Sequence, residues 1–227
     1  MRVAALQGAD GVEVTFPNDV NEDTVEAFSQ MLDQYGLELA GMGVELVCDG
    51  EWQSGSFTSP EQSRRELSLE LTKRAMDLAE KLNVSTVSLW LGQDGFDYAF
   101  QEDYSFAWRS LIHNLRLAAE HNPKVGLGLE YKTSEPKLGT YINSGGKALA
   151  LAYATGQKNV GITLDVGHAF NARENPAEIA AVLLDEHRLF HLHLNDNYSW
   201  ADDDMPVGTV HFLQYLELFY WLDKMNY

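Results

Sequence analysis

The sequence predicts an α/β fold, a parallel sheet covered by helices, on three observations. Short apolar runs alternate with longer stretches of helical periodicity, six times over, along the 227 residues. Nothing between these units has the composition of a linker, so one domain spanning residues 1–227 is expected. No glycine-rich phosphate loop follows a strand; "GADGVE" precedes one, which weighs against a dinucleotide-binding version. A doubly wound sheet and a (β/α)₈ barrel both fit this alternation.

The first strand is "GVEVTFP" (Gly11–Pro17), and the helix after it is "NEDTVEAFSQMLDQYG" (Asn21–Gly36). In that helix Val25, Phe28 and Leu32 recur at helical spacing, with Gly36 as a stop. Strand "LELAGMGVEL" (Leu37–Leu46) follows, then a long helix with a capping-type start at "SPEQ" (Ser59–Gln62) that runs to Leu82. Strand "VSTVSLWL" (Val84–Leu91) leads to a helix over Tyr104–His121, and strand "KVGLGLEYK" (Lys124–Lys132) to a helix starting at "SGGKALALAYATG" (Ser144–Gly156). Strand "VGITLDV" (Val160–Val166), helix "NPAEIAAVLLDEH" (Asn175–His187) and strand "LFHLHLN" (Leu189–Asn195) complete the alternation. The last segment, His211–Met225, is an aromatic-rich amphipathic helix.

Composition narrows the function. Thirty-four acids against 16 bases give a formal charge of −18, a surface that repels phosphate backbones and anionic membranes. A neutral substrate or a bound cation suits it better. The single cysteine, Cys48, permits neither an intrachain disulfide nor a thiolate-rich metal site. With no basic n-region at the start and no apolar run near the ~20 residues of a membrane span, a cytoplasmic location is expected.

The polar residues at strand ends carry the chemistry. Glu130 closes one strand, Asp165 the next and His193 the one after. In barrels the carboxyl ends of the strands are where active sites are built. Two carboxylates and an imidazole converging from neighbouring strands make a divalent-cation site, since each is poorly solvated there without a positive partner. His168 follows Asp165 by three residues, and the run Asp202–Asp204 lies on a loop at the same end. His191 and His193 alternate with leucines and so share one face. The same residues have blander uses: a strand-end acid is commonly a solvated loop residue or cap, a lone histidine a satisfied core residue, and Trp90 a core side chain. Their joint occurrence on three successive strands favours the metal.

At these residues the chain resembles the xylose isomerase-like barrels, in particular sugar isomerases of the xylose and rhamnose isomerase kind. "EYKTSEP" is similar to their Glu-x-Lys-x-x-Glu-Pro strand end, "LDVGH" to an Asp-Leu-Gly-His, and "FHLHLND" with "DDDMPVG" to a seventh strand and its Asp-x-Asp loop. "SLWLGQDG" is similar to the stretch after the fourth strand. The resemblance implies an incomplete TIM-type (β/α) barrel of about six strands, lacking the first and the eighth. It implies a divalent metal ion, Mn²⁺, Mg²⁺ or Co²⁺ (with Zn²⁺ an alternative), on Glu130, Asp165 and His193, with Asp165 bridging. A second ion would sit on His168, Asp202 and Asp204. Lys132 would hydrogen-bond the carbonyl end of a small sugar and Trp90 would form an apolar wall; Lys132 and His168 are the catalytic candidates. The implied reaction is aldose–ketose interconversion, by hydride movement between neighbouring carbons.

The resemblance has gaps. Pro17 stands about where the family's second strand carries a histidine, and no strand-end acid follows Met205. A ketose 3-epimerase with a second glutamate as base, and a truncated barrel that folds and oligomerises without catalysis, are the alternatives. An abasic-site endonuclease needs a basic surface that −18 denies. Two absent neighbouring strands would expose two sheet edges, which invite pairing with another chain. Phe212, Tyr215, Phe219, Tyr220 and Trp221 cannot all face one stripe of the last helix. A homo-oligomer, a dimer in the first instance, is therefore expected.

Overall fold

The computed structural model describes residues 8–47 and 50–227. Cys48 lies outside the described residues. Six parallel strands form one sheet: β1 (Gly11–Phe16), β2 (Glu38–Val44), β3 (Thr86–Trp90), β5 (Gly126–Glu130), β7 (Val160–Asp165) and β8 (Leu189–His193). They follow one another across the sheet in chain order with no reversal. That order excludes the doubly wound alternative, whose sheet reverses at a switch point. Two further strands, β4 (Gly95–Phe96) and β6 (Gly139–Thr140), make a small antiparallel pair beyond the ends of β3 and β5. At two residues each they are too short to leave a periodic signal in the sequence.

The sheet curls because its two faces differ. Val87, Leu89, Leu127, Leu129, Ile162 and Leu164, all fully buried, alternate onto the face that packs in the helix-covered core. The other face carries Gly41, Gly43, Gly126, Gly128 and Gly161 among small polar residues. A Cβ on Gly128 would sit 2.2 Å from Thr163 Oγ1, and Ser88 Oγ lies 2.9 Å from that same oxygen. Thin residues on the concave face let the strands close toward one another there.

The helices are α1 (Val25–Tyr35), α2 (Gln62–Lys81), α3 (Tyr104–His121), α4 (Gly145–Thr155), α5 (Val166–Asn171), α6 (Pro176–Asp185) and α7 (Phe212–Lys224). Val25, Phe28 and Leu32 are the buried residues of α1, as the spacing predicts. Asp103, Ser144 and Asn175 cap α3, α4 and α6 by accepting from backbone N–H groups of the first turn. Helix α2 does start within the predicted stretch, at Gln62, but its N-cap is Glu61, and the Ser59 hydroxyl accepts from Glu61 N at 3.3 Å in the turn before it. Helix α5 is an addition: it starts directly on Asp165, whose carboxylate accepts from His168 N at 2.9 Å.

Candidate functional site

Strands β3, β5, β7 and β8 each end in one functional side chain, because neighbouring parallel strands turn their C-terminal residues toward the same mouth. Trp90 pairs with Glu130, and Asp165 with His193. One oxygen each of Glu130 and Asp165 and one nitrogen of His193 lie within 4.8 Å of one another, close enough to share an ion. His193 Nδ1 is 3.3 Å from Glu130 Oε1. Asn195 Nδ2 donates to Asp165 Oδ2 at 2.8 Å and fixes that carboxylate. Gly167 makes this possible: a Cβ there would fall 1.9 Å from Asn195 Oδ1.

The loop after β8 folds back over the mouth. Asp202 Oδ2 accepts from Lys132 Nζ at 2.8 Å and stands 3.2 Å from His168 Nε2. Lys132 is buried, also pairs with Glu135 at 3.0 Å, and lies 5.1 Å from the Trp90 ring centroid. Asp204 accepts no hydrogen bond from the described residues, but it lines the mouth with Asp165 and His193 and lies near enough to Asp202, His168 and Lys132 to feel their charges. The loop hangs on Asp196, whose fully buried carboxylate accepts from the backbone N–H groups of Val210 and His211 and contacts the His211 ring at 2.7 Å.

Sequence reasoning missed Glu13. Its Oε2 is 3.1 Å from Nε2 of both His191 and His193, so β1 and β8, the two outer strands of the sheet, meet across the cavity through side chains. The strand "GVEVTFP" shows alternation and nothing that marks this acid as inward. Asn195 and Asp196 were also unmarked, since their work is to hold other residues.

The electrostatics call for positive charge. Burial works against the charge of His193, yet Glu13 and Glu130 on either side raise its pKa to about 11. Burial likewise opposes charge on His168, and Asp202, Asp165 and Glu130 outweigh it, raising its pKa. Glu13 is taken down to about 2 by its two histidines despite burial, and Asp202 is lowered by His168 first and Lys132 second. Asp165 is raised, mainly by burial. Burial would lower Lys132, but its bonds to Asp202 and Glu135 raise it, so it stays an ammonium. Two atoms pointing into this cluster, His168 Nδ1 and Asp202 Oδ1, are buried without a hydrogen-bond partner. Unpaired buried polar atoms in native sites ask for an ion, water or ligand. Mixed oxygen and imidazole donors without thiolate therefore fit a divalent cation. A cleft of 640 Å³, lined in part by Glu13, Asp165, His191 and His193, gives access to it; an adjoining 270 Å³ pocket reaches Trp90 and Glu130.

The model of the xylose isomerase-like TIM barrel family matches residues 1–227. The chain belongs to that family. It is 27% identical over 199 residues to a xylose isomerase of Thermus thermophilus, covering 85% of this chain and 51% of that one. It is 26% identical over 211 residues to a xylose isomerase of Ruegeria sp., covering 89% and 48%. The chain thus spans about half the length of these curated relatives. In structure it is similar to a D-tagatose 3-epimerase-like protein, with a TM-score of 0.81 at 21% identity over 100% of this chain and 82% of that one. It is also similar to a D-allulose 3-epimerase from Methylomonas sp., with a TM-score of 0.75 at 19% identity over 99% and 72%. The six parallel strands make the incomplete barrel expected from the sequence, and its fold is that of the xylose isomerase-like TIM barrel. Among the described residues no helix is long and apolar enough to cross a membrane.

Proposed function

We propose that the chain forms the catalytic barrel of a divalent-metal-dependent sugar isomerase that interconverts an aldose and a ketose. The observation that carries this reading is Lys132, a buried ammonium held by two carboxylates beside the Glu130–Asp165–His193 group. Those three residues would hold the ion. His168 and Asp202, with Asp204 able to approach from its loop, would hold a second. A bound cation of this kind supplies polarisation of a carbonyl and its neighbouring hydroxyl. Lys132 donates to the carbonyl-end oxygen of the sugar, and the Trp90 face excludes water from the reacting carbons. Because Asp202 and Glu135 keep Lys132 protonated, it is a donor and not a base. That favours hydrogen passing directly between neighbouring carbons as hydride, without exchange with solvent.

A ketose 3-epimerase is the second reading. Glu130 and Glu13 flank His193 from its two ring nitrogens, so two carboxylates reach one cavity, and epimerisation at carbon 3 needs both an acid and a base. Turnover of xylose, rhamnose, fructose and psicose in D₂O separates the two. Product aldose or ketose without carbon-bound deuterium supports the isomerase; a 3-epimer carrying deuterium supports the epimerase. No turnover of any sugar with Mn²⁺, Mg²⁺ or Co²⁺ present sinks both. The small sugar partner and the cytoplasmic setting belong to this same reading. So does a homodimer formed on α7, whose Phe212, Leu213, Phe219 and Tyr220 are exposed. Sedimentation of the full chain as a monomer at micromolar concentration would refute the dimer.

A further inference from the structure

We propose a further cation site at the open side of the barrel, made by Glu13, His191 and the Nε2 of His193, for a late first-row divalent ion of the Zn²⁺ or Co²⁺ kind. It is distinct from the group at Glu130 and Asp165, which His193 faces with Nδ1. The two groups thus share one imidazole, each takes a different ring nitrogen, and with both ions bound the ring gives up its protons to solvent and bridges as an imidazolate.

Three features support it. The first is geometry. Nε2 of His191 and Nε2 of His193 each lie 3.1 Å from Glu13 Oε2, and the three donor atoms fall within 4.8 Å of one another. A tetrahedral ion with bonds of about 2.0–2.1 Å has ligand–ligand edges of roughly 3.3 Å, so little movement is needed to seat it. The two imidazoles stand nearly perpendicular, at 89°, with centroids 5.1 Å apart, which leaves their nitrogens free to converge without the rings stacking.

The second feature is that the ladder slips beside each of these residues, through an extra residue on β2 opposite Glu13 and one on β8 itself before His191. The β1–β2 register slips between Val12 and Glu13, leaving Ala40 as the extra residue on β2. The β7–β8 register slips between Ile162 and Thr163, leaving Phe190 as the extra residue directly before His191. Bulges are the device by which a strand re-aims a side chain, and they are over-represented beside functional sites. The slip at Phe190 lets the ring of that residue rest against Gly126 and Gly161 while His191 and His193 both line the cleft.

The third is the space made for Glu13. A Cβ on Gly41, its partner across the ladder, would lie 2.9 Å from Glu13 Cδ and 3.0 Å from Oε2. The carboxylate therefore lies flat against bare backbone and is turned inward along β2. An acid wanted only for solubility would point outward and needs no such bed. Side-chain exposures of 30% for Glu13, 21% for His191 and 27% for His193 leave the group open to the cleft. Two imidazoles and one carboxylate with open positions are a donor set for late first-row ions.

The test is metal titration of the chelator-stripped full chain with Co²⁺, read by metal content after equilibrium dialysis and by the visible d–d bands. The wild type is expected to take up about two or more ions per chain. Glu13→Gln and His191→Gln should each remove one ion together with its spectral component. The double variant Glu130→Gln, Asp165→Asn should leave that component in place. Uptake and spectra unchanged in both Glu13→Gln and His191→Gln would overturn the site, even if ions bind elsewhere. Loss of this component in the Glu130, Asp165 double variant with retention in His191→Gln would equally overturn it. Circular dichroism of each variant guards against misfolding, and uptake of a single ion by the wild type, lost only with Glu130 and Asp165, refutes the proposal without any variant at the new site. The isomerase reading fails separately, through the absence of sugar turnover.

Discussion

Asp94 lies in the loop after β3, 1% exposed, and clasps the loop that follows the neighbouring strand β2. Its carboxylate accepts from Thr58 N at 2.6 Å, from Ser56 N at 3.2 Å and from both hydroxyls. Its own carbonyl accepts from Tyr141 N at 2.9 Å, so three loops are joined at one residue. Replacement by alanine leaves two buried backbone N–H groups without an acceptor. The hydroxyls of Ser56 and Thr58 can turn elsewhere; the N–H groups cannot. At about 1–3 kcal/mol for each unsatisfied buried donor, the cost is about 2–6 kcal/mol. Burial pushes the Asp94 pKa up against these bonds, so the carboxylate carries a desolvation cost that its removal relieves. The expected loss for Asp94→Ala is therefore in the lower half, about 2–4 kcal/mol. Asp94→Asn keeps one acceptor oxygen and should cost about half as much. Urea denaturation of the metal-stripped chain, with equal slopes for the three proteins, measures both. A loss below about 0.5 kcal/mol for alanine, or asparagine costing more than alanine, would show that the clasp does not hold the loops.

Three further outcomes follow from the site. Lys132→Met should lower kcat by about 10²-fold or more at unchanged metal content, because it removes a fixed donor to developing charge; a kcat within tenfold of wild type would refute the role. Gly167→Ala should weaken Co²⁺ or Mn²⁺ binding at Asp165 by about 10–100-fold, since the new Cβ displaces Asn195 from that carboxylate; an unchanged titration would refute the positioning. Burial alone would raise the Asp196 pKa, but hydrogen bonds from His211, Val210 and Asn197 leave it lowered. A depressed carboxylate stabilises the fold above its unfolded value of about 3.9 and loses that contribution as pH falls through the folded value. Asp196→Asn should thus be less stable than wild type at pH 7, with the gap closing below about pH 4; a gap constant down to acid pH would refute the assignment.

The strand and helix order was legible because each element carries its own period. Val25, Phe28 and Leu32 mark α1 whatever surrounds it, and Ser144 with Gly156 bracket α4. Glu130, Asp165 and His193 were legible as a group because neighbouring parallel strands end at the same mouth, so "ends in an acid or a histidine" is already a statement in three dimensions. What the sequence left undecided depends on curvature and on non-local partners. The alternation Gly–Leu–Gly–Leu in β5 could be read as a weak strand; only the curled sheet shows that its glycines admit Thr163 to the concave face. Glu13 reaches residues 178 and 180 positions away, and that meeting depends on two register slips which no local pattern encodes. The helix start at Ser59–Gln62 was legible, but not that Glu61 rather than Ser59 stands at its N-cap. Periodicity is a property of neighbours along the chain, and it determined the elements; the closing of the sheet is a property of side-chain size across strands, and only the tertiary structure decided it.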